Sequence, residues 1–348
     1  MSARATIAPA TGSGRWRRIG KAAAVTAAVG LVLVAAFAAW VVSLGPLPLE
    51  QARGVSTTIV DRNGKLLRAY AMADGRWRLP VDARRDVDPT YLKLLLAFED
   101  KRFHSHAGVD PLALARAGLQ LVASGRIVSG GSTITMQLAR LMEPRRERSL
   151  YAKLRQMVRA VELERQLGKQ EILDLYLALA PFGGNLEGIR AASIAYFGKE
   201  PKRLTLAEAA LLVALPQSPE TRRLDRHPDA ARAARDKVLA RMVEEGIVAA
   251  DDAAQARATV VPKLRKPMPM LAPHSADQAI ATIKDAPVIR LTLDANLQRV
   301  LEALARDRAL ALGPDISVGI VAVDNESGEV LAHVGSADYF DERRAGQV

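Results

Sequence analysis

Read from the N-terminus, the apolar pattern opens as one unbroken block: residues 22–49, AAAVTAAVGLVLVAAFAAWVVSLGPLPL, carry no charged side chain. About 20 such residues suffice to cross a bilayer core as a helix, so we read 22–45 as a transmembrane segment that Pro46 and Pro48 bring to an end. The pattern then changes to alternation. Residues 57–71, TTIVDRNGKLLRAYA, switch between apolar and polar positions around Asn63-Gly64 and predict a hairpin, placed as a spacer over 55–80. From residue 88 to 246 the apolar positions recur at helical spacing in Ala- and Leu-rich segments, with breaks at Gly130-Gly131 and Gly183-Gly184. The proline- and cation-rich stretch VVPKLRKPMPMLAPH reads as a linker within 247–285. Beyond residue 286 the pattern is strand, helix, then a hairpin turning at Ser327-Gly328, which predicts a second, incomplete α/β piece over 286–348. The fold class predicted is mainly α.

Composition and charge narrow this picture only in places. The excess of 49 Lys+Arg over 38 Asp+Glu gives +11, which suits phosphate, a lipid headgroup or nucleic acid without choosing among them. Cysteine is absent, which excludes a disulfide framework, a thiol nucleophile and a cysteine metal site. Arg15, Arg17, Arg18 and Lys21 precede the apolar block with no acid among them. The positive-inside tendency therefore makes 1–21 a cytoplasmic tail and sends everything after the span outside. A cleaved signal peptide is the competing reading, with AAFAAW offering small residues to a peptidase; the length of the block favours an anchor.

Candidate chemistry begins where the run LLLAFEDKRFHSHAGVD puts Glu99 and Asp100 at the end of an apolar helix. A solvated helix end is the ordinary explanation for such a pair. A carboxyl at the edge of an apolar wall is also a candidate for proton exchange, and Phe103 and His106 would stand about one and two turns further on. The HSH run is either a metal pair or a set of loop-ordering hydrogen bonds; with five histidines in the chain and no cysteine, no metal is assigned to it. In SGRIVSGGSTITMQLAR the glycines permit close backbone approach and Ser132 is placed to cap a helix. Amides at that helix start, with Ser and Thr hydroxyls, suit an anion or a sugar, although a plain loop-to-helix junction has the same signature. Arg140, Arg145, Arg146, Arg148, Lys153, Arg155 and Arg159 follow within twenty residues. Such a run is commonly a solvated face; directly after an anion-suited junction, outside a membrane, phosphate recognition is the preferred reading.

At this point the residues carry a resemblance. EDKRFHSHAGVD, GGSTITMQLAR, RSLYAKLRQMVRAVELE, ILDLYLALAPFGGNLEGIRAASIAYFGK and LTLAEAALLVALPQSP resemble, in order and spacing, the motifs of glycosyltransferase family 51, the peptidoglycan glycosyltransferase domain of class A penicillin-binding proteins, and the TMQ and APFGGNLEGI variants look like its 1C type. The resemblance implies a lysozyme-like helical domain that polymerises lipid II: an acceptor 4-hydroxyl attacks the anomeric carbon of the growing glycan strand and expels undecaprenyl pyrophosphate with inversion. It implies Glu99 as general base, with Asp100, Phe103 and His106 shaping its surroundings and Gln156 as a further supporting residue. It further implies that Ser132, Thr133 and Gln137 line the cleft and that Arg140, Arg148 and Lys153 neutralise the pyrophosphate, often with a divalent cation, Mg²⁺ or Mn²⁺. Residues 112–122 would be an apolar flap against the membrane, or else an ordinary core helix.

Two positions depart from the family pattern. Gln156 stands where a second glutamate is usual; it hydrogen-bonds but carries no charge, and Glu162 and Glu164 lie elsewhere on the helix. Ala178 stands where asparagine is usual. The C-terminal piece resembles the opening of a penicillin-binding transpeptidase domain, but the 348 residues hold no Ser-x-x-Lys, so transpeptidase activity is not expected of them. The partners implied are lipid II, the growing glycan strand, the membrane and other cell-wall synthesis proteins, with no role for nucleic acid. The implied location is the inner membrane, with the catalytic domain on the periplasmic side. Two alternatives stand beside this reading: a lysozyme-like glycan-cleaving enzyme, and a non-catalytic cell-wall scaffold.

Overall fold

The computed structural model describes residues 13–124, 131–144, 149–313, 315–341 and 346. It divides into two units, Met1–Leu47 and Pro48–Val348. The first unit is one helix, α1 (Ser13–Ser43). Its apolar part, Lys21–Ser43, is 23 residues long, about 34 Å at the α-helical rise, against a hydrocarbon core of about 30 Å. Val25, Val29, Leu31, Val32 and Phe37 are all exposed. A helix that is apolar all round has no polar face to turn to water, which is the pattern of a membrane span.

The second unit begins with α2 (Leu49–Arg53), β1 (Thr58–Val60), β2 (Leu66–Ala69), β3 (Trp77–Arg78) and α3 (Ala83–Asp86). Its helical body follows: α4 (Pro89–Glu99), α5 (Pro111–Ser124), α6 (Ile134–Met142), α7 (Leu150–Gln166), α8 (Lys169–Leu179), the short strand β4 (Leu186–Glu187), α9 (Ile189–Phe197), α10 (Leu206–Ala214), α11 (Pro228–Glu244) and α12 (Ala250–Ala258). The chain goes on through α13 (Pro273–Thr282), β5 (Val288–Arg290), α14 (Ala295–Leu312), β6 (Ile320–Val323) and β7 (Val330–Val334). The described residues are mainly helical.

The body is organised around α10, whose residues Ala207 and Ala209 to Ala214 are all buried. Thr205 and Glu208 form a capping box at its start, satisfying two backbone donors that the first turn leaves open. With Ala and Leu on every side, α10 can be surrounded, and it packs against α4, α11 and α12. Asp88 starts α4 by accepting the Thr90 amide, and its second oxygen accepts the amide of Leu204 just before α10. The two helices are thus fixed together at one end. At the other end of α4 stands Glu99.

β1 and β2 pair antiparallel, and the Asp61 carboxylate holds the Asn63-Gly64 turn by accepting the amides of Asn63 and Lys65. This hairpin is more than a spacer, because β5 adds to β1 in parallel and completes a sheet of order β2-β1-β5. Ile59 and Leu67 share a core with Ala272, Ala276, Ile289 and Leu293. The interval 247–285, read from its prolines and cations as a linker, contains α12 and α13. Both helices are held by small buried alanines, Ala253 and Ala256 in one and Ala276 and Ala279 in the other, and alanine gives little apolar periodicity to read. α5 exposes Leu112 and Leu119, so over 112–120 it is a surface helix and not a core one. Gly130 and Arg145, Arg146 and Arg148 lie outside the described residues.

Candidate active site

The site is assembled where the end of α4 meets the start of α6. Asp100, next after α4, is buried and accepts the Ile134 amide at 2.9 Å, so its charge faces the positive end of α6. Both its oxygens lie 3.0 Å from Nε2 of His106. Nδ1 of that ring accepts the Gly108 amide at 3.2 Å, which leaves Nε2 to carry the proton donated to Asp100. Phe103 is buried edge-on to His106, and Lys169 sits 4.5 Å above its ring while donating to the His106 carbonyl and to Glu164. Asp100, Phe103 and His106 therefore stand behind Glu99 and fix the loop that follows it. Arg102 and Asp110 form a bidentate pair just beyond, and Asp110 accepts the Ala113 amide at the start of α5. Burial opposes the charge of Asp110, but the hydrogen bonds from Arg102 prevail and hold its carboxyl below the usual carboxylate range.

Glu99 is received by two neutral amides. Nε2 of Gln137 donates to Oε2 at 2.8 Å, and Nε2 of Gln217 donates to Oε1 at 2.8 Å. Behind Gln137, the Tyr176 hydroxyl donates to its Oε1 at 3.4 Å. Burial and the charge of Glu99 keep that phenol well above its ordinary pKa, so it remains a donor.

Glu99 lines the first of two neighbouring lobes that share part of their walls. The first, a cavity of about 790 Å³, is lined by Phe98, Glu99, Arg102, Arg116 and Arg241; the second, about 820 Å³, is lined by Lys153, Gln156, Arg155, Arg76 and Glu187. Ser132, Arg140 and Gln217 line both. Lys153 donates to the Ser132 hydroxyl. Burial first, and the Arg140 charge second, hold its ammonium below the ordinary lysine pKa. Among the described residues no carboxylate pairs with Lys153, and an ammonium so placed in a hollow of this size is suited to an anionic ligand.

Other cations of the basic run are already paired. Arg155 and Arg159 both close on Glu143, at 2.6 and 2.8 Å, and the buried Arg159 also holds Glu162 at 2.7 Å. Arg148, expected at the pyrophosphate, lies outside the described residues. Thr133 lines the first lobe, as expected, and its hydroxyl is taken up in capping α6: it accepts the Met136 amide and donates to the Gly108 carbonyl at 2.6 Å. Ala178 is buried on α8, where Gly188 approaches so closely that an added Cβ would come 2.7 Å from the Ala178 carbonyl. It serves packing.

Among the described residues a divalent cation finds no fitting ligands in the second lobe, and none of them form a group of three His, Asp or Glu that could hold a metal ion. The carboxylates that line this lobe, Glu143 and Glu187, are each engaged by two guanidinium groups, Arg155 and Arg159 on one and Arg76 and Arg78 on the other. Gln156 adds only a neutral amide beside them.

Sequence reading missed Gln217, Tyr176 and Glu143. Gln217 was visible only as a polar residue between Pro216 and Pro219 at the end of an apolar helix, and nothing along the chain links it to a position 118 residues earlier.

The class of this helical body, with Glu99 in the wall of one lobe and Lys153 in the wall of the next, is identified by comparison with known proteins. The sequence model of the Transglycosylase family matches residues 63–243, just over half the chain, and the chain belongs to that family. The individual relatives are penicillin-binding proteins. The chain is 44% identical over 305 residues to penicillin-binding protein 1C of Escherichia coli, covering 88% of this chain and 39% of that protein. It is 30% identical over 300 residues to penicillin-binding protein 1F of Bacillus subtilis, covering 82% and 42%. The chain thus spans about two fifths of the length of these curated relatives. A crystal structure of penicillin-binding protein 1A from Haemophilus influenzae aligns with a TM-score of 0.32 at 18% identity, over 78% of this chain and 33% of that one.

Proposed function

We propose that this chain is a membrane-anchored peptidoglycan glycosyltransferase that polymerises lipid II into glycan strands. The observation that carries the proposal is the position of Glu99 in the wall of the first lobe, bonded to Gln217, which lines both lobes, with Arg140 shared by both and Lys153 in the wall of the second. In this reading the acceptor sugar lies in the first lobe and gives its 4-hydroxyl proton to Glu99 as its oxygen attacks the anomeric carbon of the strand. The bond from that carbon to undecaprenyl pyrophosphate breaks, and the leaving charge develops against Lys153 and Arg140 in the second lobe. Ser132 keeps Lys153 pointed inward. No step runs through a metal, since the carboxylates of that lobe are already held by arginines. The apolar helix α1 would hold the domain at the membrane that supplies the lipid-linked substrate, with the basic tail on the cytoplasmic side and the cleft outside.

A glycan-cleaving enzyme would use a second carboxylate to activate water or form an intermediate. The other carboxylates lining the two lobes are engaged, Glu143 and Glu187 by guanidinium pairs, Asp110 by Arg102, Glu245 by Lys101 and Arg241, and Asp100 by His106, which favours transfer to a sugar hydroxyl. The test is incubation of the full chain in detergent with lipid II, with products resolved by length. Glycan strands are expected, and Glu99→Gln should lower the rate by about 10² to 10⁴, the usual loss on removing a general base. Cleavage of preformed glycan without polymer would overturn the proposal, as would parent rates in Glu99→Gln.

A further inference from the structure

We infer that Gln217 is a positioning residue for Glu99, the second half of a two-amide clamp that fixes the base without neutralising it. The inference rests on the reading of Glu99 as the base. Gln137 and Gln217 approach the carboxylate from different elements, α6 and the 3₁₀ turn Leu215–Gln217, and each supplies one amide donor to one oxygen at 2.8 Å.

Each amide is in turn oriented by a donor of its own. The Tyr176 hydroxyl bonds Oε1 of Gln137, and Nη1 of Arg222 bonds Oε1 of Gln217 at 3.2 Å. With its oxygen engaged, each carboxamide has only its NH₂ to offer Glu99. The turn that carries Gln217 is braced as well. Leu215 is fully buried, prolines stand at 216 and 219, and the same Arg222 guanidinium donates to the Ala214 carbonyl at 2.6 Å.

The chemistry explains why the clamp uses amides. A carboxylate has about four lone-pair directions, and two are taken here, which leaves room for an incoming hydroxyl. A lysine or arginine at 217 would form an ion pair and weaken the base, whereas a neutral donor fixes direction and leaves the charge available. Gln217 also lines both lobes, so it stands where attacking oxygen and anomeric carbon must meet. Near-attack geometry at that point sets the rate more than ground-state affinity does.

The experiment compares the parent with Gln217→Glu, which keeps size and shape but removes the donor, and with Gln217→Leu, which removes it without adding charge. Initial rates on lipid II should show kcat lowered about 10- to 100-fold, the loss of a hydrogen bond to a charged group, with KM within about twofold of the parent. Parent kcat in both variants would overturn the inference, and so would a loss carried by KM alone, which would make Gln217 a ligand contact. Crystal structures of the parent and Gln217→Leu give a readout independent of turnover. The Glu99 carboxylate is expected to leave its place in the variant, and a Glu99 that keeps its orientation without the amide would refute the clamp. A parent inert on lipid II would sink the proposed function, while the two crystal structures would still decide the clamp.

Discussion

Lys153 is half-buried in the second lobe, with Ser132 as hydrogen-bond partner and Arg140 as cationic neighbour. Its ammonium loses its proton at lower pH than a free lysine, because burial and then Arg140 disfavour the charge. The sign for stability follows. Between the folded value and the ordinary lysine value the unfolded chain binds the extra proton, so this position costs stability while charged and that cost fades as pH rises through the folded value. In the proposed transfer the direction for activity is opposite, since a leaving pyrophosphate would need the charge. The alkaline limb of kcat/KM should therefore begin below the ordinary lysine range, and Lys153→Arg, which stays protonated, should move it to higher pH. A pH–rate profile of parent and variant checks this, and coincident alkaline limbs would exclude Lys153 as the titrating group. At this scale the sequence singled out Glu99, Ser132, Gln137, Arg140 and Lys153 together, all five of which stand in the walls of the two lobes. It was misleading for Arg155 and Arg159, because the carboxylate of Glu143 that occupies both is twelve and sixteen residues away.

The start of α6 depends on a glycine two turns of chain away from the chemistry. Gly108 has φ +90°, and a Cβ there would lie 2.5 Å from the Ala160 carbonyl oxygen of α7. Its own carbonyl receives the Thr133 hydroxyl, and its amide meets His106, whose other nitrogen holds Asp100. One backbone position thus sets α7, the cap of α6 and the carboxylate beside Glu99. Gly108→Ala is expected to cost roughly 2 to 5 kcal/mol, from left-handed strain and from displacing backbone. Thermal unfolding of the full chain in detergent should show a correspondingly lower Tm, and a Tm within a degree of the parent would mean that α7 yields freely. The helices of the body were legible because apolar spacing and caps are local signals, as at Thr205 and Glu208. The Gly108 contact was not, since it depends on which helix passes beneath.

At the scale of the whole second unit, the hairpin and the C-terminal piece are one folding element across more than 200 residues of chain. β5 pairs with β1, Thr58 donates to the Pro287 carbonyl at 3.0 Å, and Leu291 donates to that of Val60 at 2.9 Å. Hairpin and strand were each visible as local alternation, but parallel pairing leaves no mark in sequence, and so 57–71 read as a spacer and 286 as a fresh start. Ile289 is the center of the joint: 2% exposed, it packs in the cluster of Ile59, Leu67, Ala276 and Leu293. Ile289→Asp would bury an unpartnered carboxylate there, which costs several kcal/mol. Hydrogen exchange read by mass spectrometry should show the amides of Thr58 and Leu291 exchanging at least about 100-fold faster, while those of α6 and α10 keep their protection. Glu99 and its clamp lie on α4, α6 and the Leu215–Gln217 turn, outside this sheet, so the variant should retain the parent rate on lipid II. Protected amides at Thr58 in the variant would show that β1 holds without β5, and exchange spreading into α6 and α10 would show that sheet and helical body unfold as a single unit.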